Sequence, residues 1–271
     1  MILPVSGIRE VDVSRDGQVT RDRVAVEEPL EVRVNDASFA VIMRTPGADR
    51  DLAAGFLLAE DVIRGAAEIG AIEYCQDADA EGRDNTLNVT VTGGAIDRLS
   101  ERLGERRQVM MTSACGLCGR RTIESLRSRV AGVGGAWTID ADAIASLPDR
   151  LREAQAVFES TGGLHAAGLF DRAGALQVAA EDVGRHNAVD KIVGRTLLEE
   201  KHPLDQSVML VSGRASFELV QKALLAGIPV LAAVSAPSSL AIELAEQANI
   251  TLCGFLRGPR FNTYSHPERI R

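Results

Sequence analysis

The sequence predicts an α/β protein, with a larger strand–helix–strand unit preceded by a smaller α+β module. Three observations carry this. Short apolar runs alternate with helical patterns through the C-terminal half, the signature of βαβ units and a largely parallel sheet. The N-terminal third holds strand-like runs around one amphipathic helix. The chain of 271 residues is 45% hydrophobic and 25% charged, values of a folded protein long enough to bury a sizeable core.

The elements follow in order. Residues 24–34 (VAVEEPLEVRV) and 39–44 (FAVIMR) read as strands joined by a turn at Asn35-Asp36. Residues 49–60 read as a helix, with Leu52, Phe56 and Ala59 on one face and Asp49 and Asp51 in its first turn. LNVTVT at 87–92 alternates like a strand, and Arg98 to Arg107 is a charged, exposed stretch. The small-residue segment MMTSACGLCG (110–119) precedes a helical pattern from Arg120 to Val130, with Ile123, Leu126 and Val130 on one face. AGVGGAW at 131–137 is a glycine-rich break. The expected organisation is therefore a small module over 1–108, the C-x-x-C loop and its helix over 109–135, and the larger unit over 136–271.

In that unit LQVAAE (176–181) reads as a strand, and 185–199 as a helix with Val189, Ile192, Val193, Thr196 and Leu197 on one face. VMLVS (208–212) is a strand, followed by a helix carrying Phe217, Val220 and Leu224 that Gly227-Ile228-Pro229 stops. VLAAVS (230–235) is a strand, Pro237-Ser238-Ser239 opens the next helix, and ITLCGFL (250–256) is a further strand.

Composition narrows the function. A net charge of −8 argues against broad nucleic-acid binding. No run approaches the roughly 20 apolar residues of a membrane span, and the N-terminus lacks the apolar block of a secretory signal. A cytoplasmic protein is expected. Four cysteines do not make a disulfide scaffold: Cys75 and Cys253 stand alone, while Cys115 and Cys118 form a C-x-x-C pair.

In an open parallel sheet, ligands bind beyond the carboxyl ends of strands. Three such ends can be read: Ser212-Gly213-Arg214-Ala215-Ser216, Ser235-Ala236-Pro237-Ser238-Ser239 and Arg257-Gly258-Pro259-Arg260. The first two lie at helix N-termini, where free N–H groups favour anions. Arginine at two of the three ends suits a phosphorylated or nucleotide-like ligand. Serine, glycine and proline are also ordinary cap and turn residues. There is no Walker-A pattern and no G-x-G-x-x-G after a strand.

The cysteine pair admits four readings. Beside Arg120 and Arg121 and before a helix, Cys115 is expected to have a raised thiolate fraction. A thiolate attacks persulfide sulfur, and a second cysteine three residues on can resolve the first, which suits sulfur carriage. Structural zinc needs a second pair or C/H spacing elsewhere. A thioredoxin-like oxidoreductase places its pair after an early strand. The fourth reading is an inert buried pair.

Two histidines lie in polar or glycine-rich segments, His165 and His186. Zinc deaminases use H-x-E followed by P-C-x-x-C. Here His165 is followed by Ala166 and Ala167, and the C-x-x-C precedes it, so hydrolytic deamination is disfavoured. His186 and Asp190 are neighbours on one helix face, with Asp182 placed to cap that helix. They make either a solvated pair or a ligand-orienting cluster.

Taken together, TSACGLCG, STGGLHAAGLF, EDVGRHNAVDKIVG, SGRASFELVQKALLAGIPVLAAVSAPSSLAIELA and CGFLRGPRFNTYSHPERI resemble the formate dehydrogenase accessory sulfurtransferase family, FdhD, in that family's order. The resemblance implies a cytoplasmic homodimer with a cytidine-deaminase-like C-terminal domain lacking deaminase activity. It implies transfer of sulfur from a cysteine desulfurase to the molybdenum (or tungsten) bis(molybdopterin guanine dinucleotide) cofactor, which then goes to formate dehydrogenase. On this sequence the persulfide role falls on Cys115, with Cys118 as partner. The cofactor-contacting stretch falls on Gly254, Phe255, Leu256, Arg257, Gly258 and Pro259; the strand-end reading adds Ser212, Gly213 and Arg214, and the polar cluster on the 185–199 helix adds His186. No structural metal is expected. The runner-up function is a chaperone that binds and delivers the cofactor without covalent chemistry.

Overall fold

In a computed structural model of the chain, the structure describes residues 1–2, 7–75, 83–106, 132–134 and 137–271. The helix expected over 120–130 lies outside the described residues.

The chain opens with a two-stranded ribbon, β1 (Ile8–Arg15) and β2 (Gln18–Ala25), turned by Asp16-Gly17 with φ of 54° and 81°. Both turn residues are left-handed, as a two-residue hairpin of type I′ requires. The single strand expected over 24–34 is two: β2 ends at Ala25 and β3 (Glu28–Val34) begins a different sheet. The link between them leaves the ribbon, its Val26 N–H donating to the Gly7 carbonyl at 2.9 Å. Asn35 and Asp36, at φ 48° and 64°, form the expected turn into β4 (Ala37–Arg44). Helix α1 (Asp49–Ala59), β5 (Ile69–Tyr74) and β6 (Thr86–Val91) follow, giving a four-stranded sheet in the order β4-β3-β6-β5.

Residues 98–107, expected as an exposed stretch, fall largely within helix α2 (Ala95–Arg106). Its Ala95 and Leu99 are buried, and Arg98 and Arg102 pair with Glu68 and Asp61. Arginine stems cover apolar surface while the head groups find carboxylates, so charge in the sequence did not mean exposure.

The second half runs α3 (Ala141–Arg152), α4 (Ala156–Thr161), β7 (His165–Phe170), β8 (Leu176–Asp182), α5 (Arg185–Leu198), β9 (Val208–Val211), α6 (Phe217–Leu225), β10 (Val230–Ala233), α7 (Ser239–Gln247), β11 (Thr251–Arg257) and β12 (Arg260–Ser265). Its six strands are ordered β12-β11-β10-β9-β7-β8. Strands β9, β10 and β11 are parallel, as the sequence predicts, with antiparallel neighbours on both sides. Alternate residues face opposite ways. Met209, Val211, Leu231, Ala233 and Leu252 enter one core, while Val208, Leu210, Val230, Ala232 and Cys253 enter another with Trp137, Leu147 and Phe170. Coverage on both faces explains why these strands read as unbroken apolar runs.

The first of these cores also contains Leu30, Val32, Leu52, Leu57, Leu87 and Val89, so apolar packing continues from the small sheet into the large one. The joint is the crossing of α1 and α5. A Cβ placed on Gly55 would sit 2.0 Å from the Asp190 carbonyl oxygen, and one on Gly194 would sit 1.8 Å from that of Asp51. Only glycine lets the two backbones approach this closely.

Candidate functional site

The carboxyl ends of β8, β9, β10 and β11 share one edge with the start of β7. Buried ion pairs hold that edge rigid. The Lys191 side chain is 0% exposed and lies 2.8 Å from Asp182 Oδ2, and its ammonium donates to the Thr45 carbonyl at 2.9 Å. Asp182 Oδ2 also accepts from the Thr45 N–H, while Oδ1 accepts from the Gly184 N–H and the Asn187 amide. Asp182 was expected to cap α5. Instead it fastens the β4–α1 connection to the end of β8, and Gly184 holds the cap position with no side-chain cap bond.

The turns after β9 and β10 do lead into helix N-termini. Their hydroxyls are largely occupied. Ser212 Oγ accepts from the Ala166 N–H at 2.9 Å, and Ser238 Oγ caps α7 by accepting from the Ala241 N–H at 3.3 Å. Backbone bonds lace the turns together: Ser235 N–H to Gly213 O, Ala215 N–H to Ala236 O, and Phe255 N–H to Ser235 O. The turn structure expected of Ser and Pro is present, and the groups left for a ligand are the cations.

His186 and Asp190 share a face of α5, but neither makes a solvated pair with the other. Both turn to α6. His186 Nε2 lies 2.7 Å from Glu218 Oε2 and 3.3 Å from Ser216 Oγ, and Asp190 Oδ1 lies 2.6 Å from Lys222 Nζ. Serine and glutamate meet the same imidazole nitrogen, so this is no nucleophile–base–orienter relay. Burial pushes the Asp190 carboxyl up, against the pull of Lys222.

Two arginines, Arg185 and Arg214, and the imidazole of His165 gather at the start of β7 and the end of β9. His165 is half-buried and its pKa is lowered, first by burial and then by Arg185, His186 and Arg214. Arg214 is exposed. Built on Gly213, a Cβ would come 3.6 Å from both Arg185 Cδ and His165 Cε1, so both side chains lie over that glycine. No sequence pattern marks Arg185, and a lone histidine in a glycine-rich stretch, as His165 is, reads as a structural or hydrogen-bonding residue rather than a ligand.

The third strand end is the tip of the β11–β12 hairpin, not a helix start. Gly254 packs against Pro237 and Tyr264, and Leu256 is buried in the second core. Phe255 is 38% exposed at φ 57°, beside a register shift between Gly254 and Arg257. Arg257 and Gly258 are exposed at the tip. Strand β10 lies between β9 and β11, which sets those two strands about 10 Å apart at ordinary strand spacing.

Cys115 and Cys118 lie outside the described residues. Cys253 is buried and free, and burial pushes its thiol up to about 12. Cys75 is free and half-buried. Among the described residues, no three His, Cys, Asp or Glu side chains gather as metal ligands, and no helix is long and apolar enough to cross a membrane.

Known proteins resemble this chain closely. "Sulfur carrier protein FdhD" of Streptomyces avermitilis is 51% identical over 272 residues, covering 97% of this chain and 94% of its own. The protein of the same name from Nocardia farcinica is 49% identical over 268 residues with the same coverage. The crystal structure of a candidate formate dehydrogenase accessory protein from Desulfotalea psychrophila superposes with a TM-score of 0.74 at 27% identity, over 99% of this chain and 100% of that one. The FdhD/NarQ family model matches residues 25–271. On this evidence the chain belongs to the FdhD/NarQ family.

Proposed function

We propose that this protein is a cytoplasmic sulfur carrier for formate dehydrogenase maturation. One observation carries the reading: near-half identity over almost the whole length to relatives named sulfur carriers, in a chain that holds the C-x-x-C pair. In this reading the Cys115 thiolate attacks the outer sulfur of a cysteine desulfurase persulfide. A new S–S bond forms at Cys115, the desulfurase S–S bond breaks, and the desulfurase leaves as thiolate, with no net oxidation. Cys118 assists release. The Cys118 thiolate attacks the inner sulfur at Cys115, and a Cys115–Cys118 disulfide forms as the S–S bond to the outer sulfur breaks. That sulfur leaves as sulfide to become a ligand of the molybdenum of the bis(molybdopterin guanine dinucleotide) substrate, which goes on to formate dehydrogenase; a cellular thiol then reduces the disulfide.

The described residues support a place for that substrate. An anionic cofactor approaching a chain of net charge −8 needs a local cationic edge, and Arg214, Arg257 and their neighbours supply one. Gly254 to Pro259, Ser212, Gly213 and His186 complete the assignment. The mixed six-stranded sheet is read as a deaminase-like scaffold whose general acid–base is missing, since position 167 is alanine. The working unit is read as a homodimer.

The test is complementation in cells lacking this chain, assayed by formate dehydrogenase activity. Cys115→Ala is expected to abolish the effect while Cys253→Ala retains it. Full activity with Cys115→Ala would replace the carrier with a non-covalent cofactor chaperone.

A further inference from the structure

Arg185 presents an anomaly that the proposed sulfur chemistry does not use. Its Nε is buried and has no hydrogen-bond partner. A buried guanidinium nitrogen without an acceptor is costly, because its desolvation is not compensated. The nearby carboxylates do not serve it. Asp182 is engaged by Lys191, Asn187 and two backbone N–H groups, Glu181 takes the N–H groups of Val157 and Phe158, and Glu218 takes His186. The space beside Arg185 is bordered by Gly213, which has no side chain to fill it, and the His165 ring comes equally close to that glycine. Arg214 adds a further positive charge close enough to act on His165. Neither His165 nor Arg214 has a side-chain hydrogen bond or ion pair among the described residues.

We propose that Arg185, His165 and Arg214 form a seat over Gly213 for one phosphoryl group of a diphosphate-bearing ligand. The Arg185 fork donates to the phosphoryl oxygens, Arg214 closes from solvent, and His165 donates or accepts as its ionisation allows. The inference rests on the proposed function for the identity of the natural ligand, and on the geometry alone for the anion. It places the principal phosphate contact at the start of α5, apart from the β11–β12 hairpin.

The probe is inorganic pyrophosphate, titrated calorimetrically into the full chain. Arg185→Gln is expected to weaken binding about tenfold or more, the loss of a charge-assisted contact, with Arg185→Lys between it and wild type. Arg172→Gln, altered where that arginine lies over Trp137, is the control and leaves binding unchanged. Equal affinity in wild type and Arg185→Gln overturns the proposal. So does sulfate binding as tightly as pyrophosphate, which would mark an adventitious oxoanion only. A second readout needs no variant: in NMR titrations of the wild type, pyrophosphate raises the His165 pKa, and an unmoved His165 overturns the seat. The outcome separates from that of the carrier reading. Cys115→Ala binds pyrophosphate like wild type, and Arg185→Gln still takes up persulfide sulfur.

Discussion

Replacing Gly194 by alanine tests whether the two halves of the protein are held together by a backbone-to-backbone helix crossing. The added methyl would lie 1.8 Å from the Asp51 carbonyl oxygen and 2.6 Å from the Gly55 nitrogen. Both are backbone atoms of α1, so no side chain can swing aside, and the helices must part by more than 1 Å. Overpacking of a tight contact costs typically about 1–3 kcal/mol, and an overlap this deep belongs at or above the top of that range. Helix propensity returns about 1 kcal/mol when glycine becomes alanine in a helix. The net expectation is a loss of about 2–3 kcal/mol, or roughly 5–10 °C in melting temperature for a chain of this size. Thermal unfolding followed by circular dichroism measures it. Gly65→Ala is the internal control, since no atom lies within 4 Å of its added Cβ. If Gly194→Ala melted with the Gly65→Ala control, the close crossing would be wrong. So would the account of how α1 carries the Thr45 connection to the edge at Asp182.

Other perturbations probe the same framework. Lys191→Met leaves Asp182 buried without its cation and is expected to cost about 3–5 kcal/mol in chemical denaturation; a change under about 1 kcal/mol would contradict the ion pair. Asp51 is pushed up to about 6 by burial, against a usual value of 3.8. The native carboxyl therefore keeps its proton where the unfolded chain has released it, and stability falls as pH rises from about 4 to about 6, then levels. Asp51→Asn should stabilise the protein more at pH 8 than at pH 4, and a gain equal at both would remove the assignment. Cys253, buried with its thiol pushed up to about 12, should resist iodoacetamide at pH 8 in the native protein and react once denatured. Rapid native labelling would show that the strand opens.

The parallel half was legible because its strands are buried on both sides. Residues 208–211 and 230–233 are continuous apolar runs closed by turn residues, and little else fits that pattern. Where the fold departs from simple patterns, sequence gave less. Strand β7 runs through Ala166, Ala167 and Gly168, which have no β preference, and is held as a strand by its two neighbours. Strands β1 and β2 carry charge on a solvated ribbon, and α3 holds Pro148 within it. At the candidate site, Ser212, Gly213 and Arg214 were legible from the strand-then-helix rule, and His186 from its spacing to Asp190 on one helix face. Their partners were not, because Glu218 reaches His186 from the next helix and Arg185 is distinguished only by a missing acceptor. Such pairings belong to tertiary structure, and no local pattern announces them.

The central claim, that Cys115 carries sulfur covalently, is met most directly by intact-mass spectrometry after incubation with a cysteine desulfurase and cysteine. Wild type, Cys115→Ala and Cys118→Ala are compared. The account predicts a gain of about 32 Da per sulfur on wild type, removed by reductant and absent from Cys115→Ala. A wild type that takes up no sulfur, or a Cys115→Ala variant that takes up as much as wild type, would contradict it.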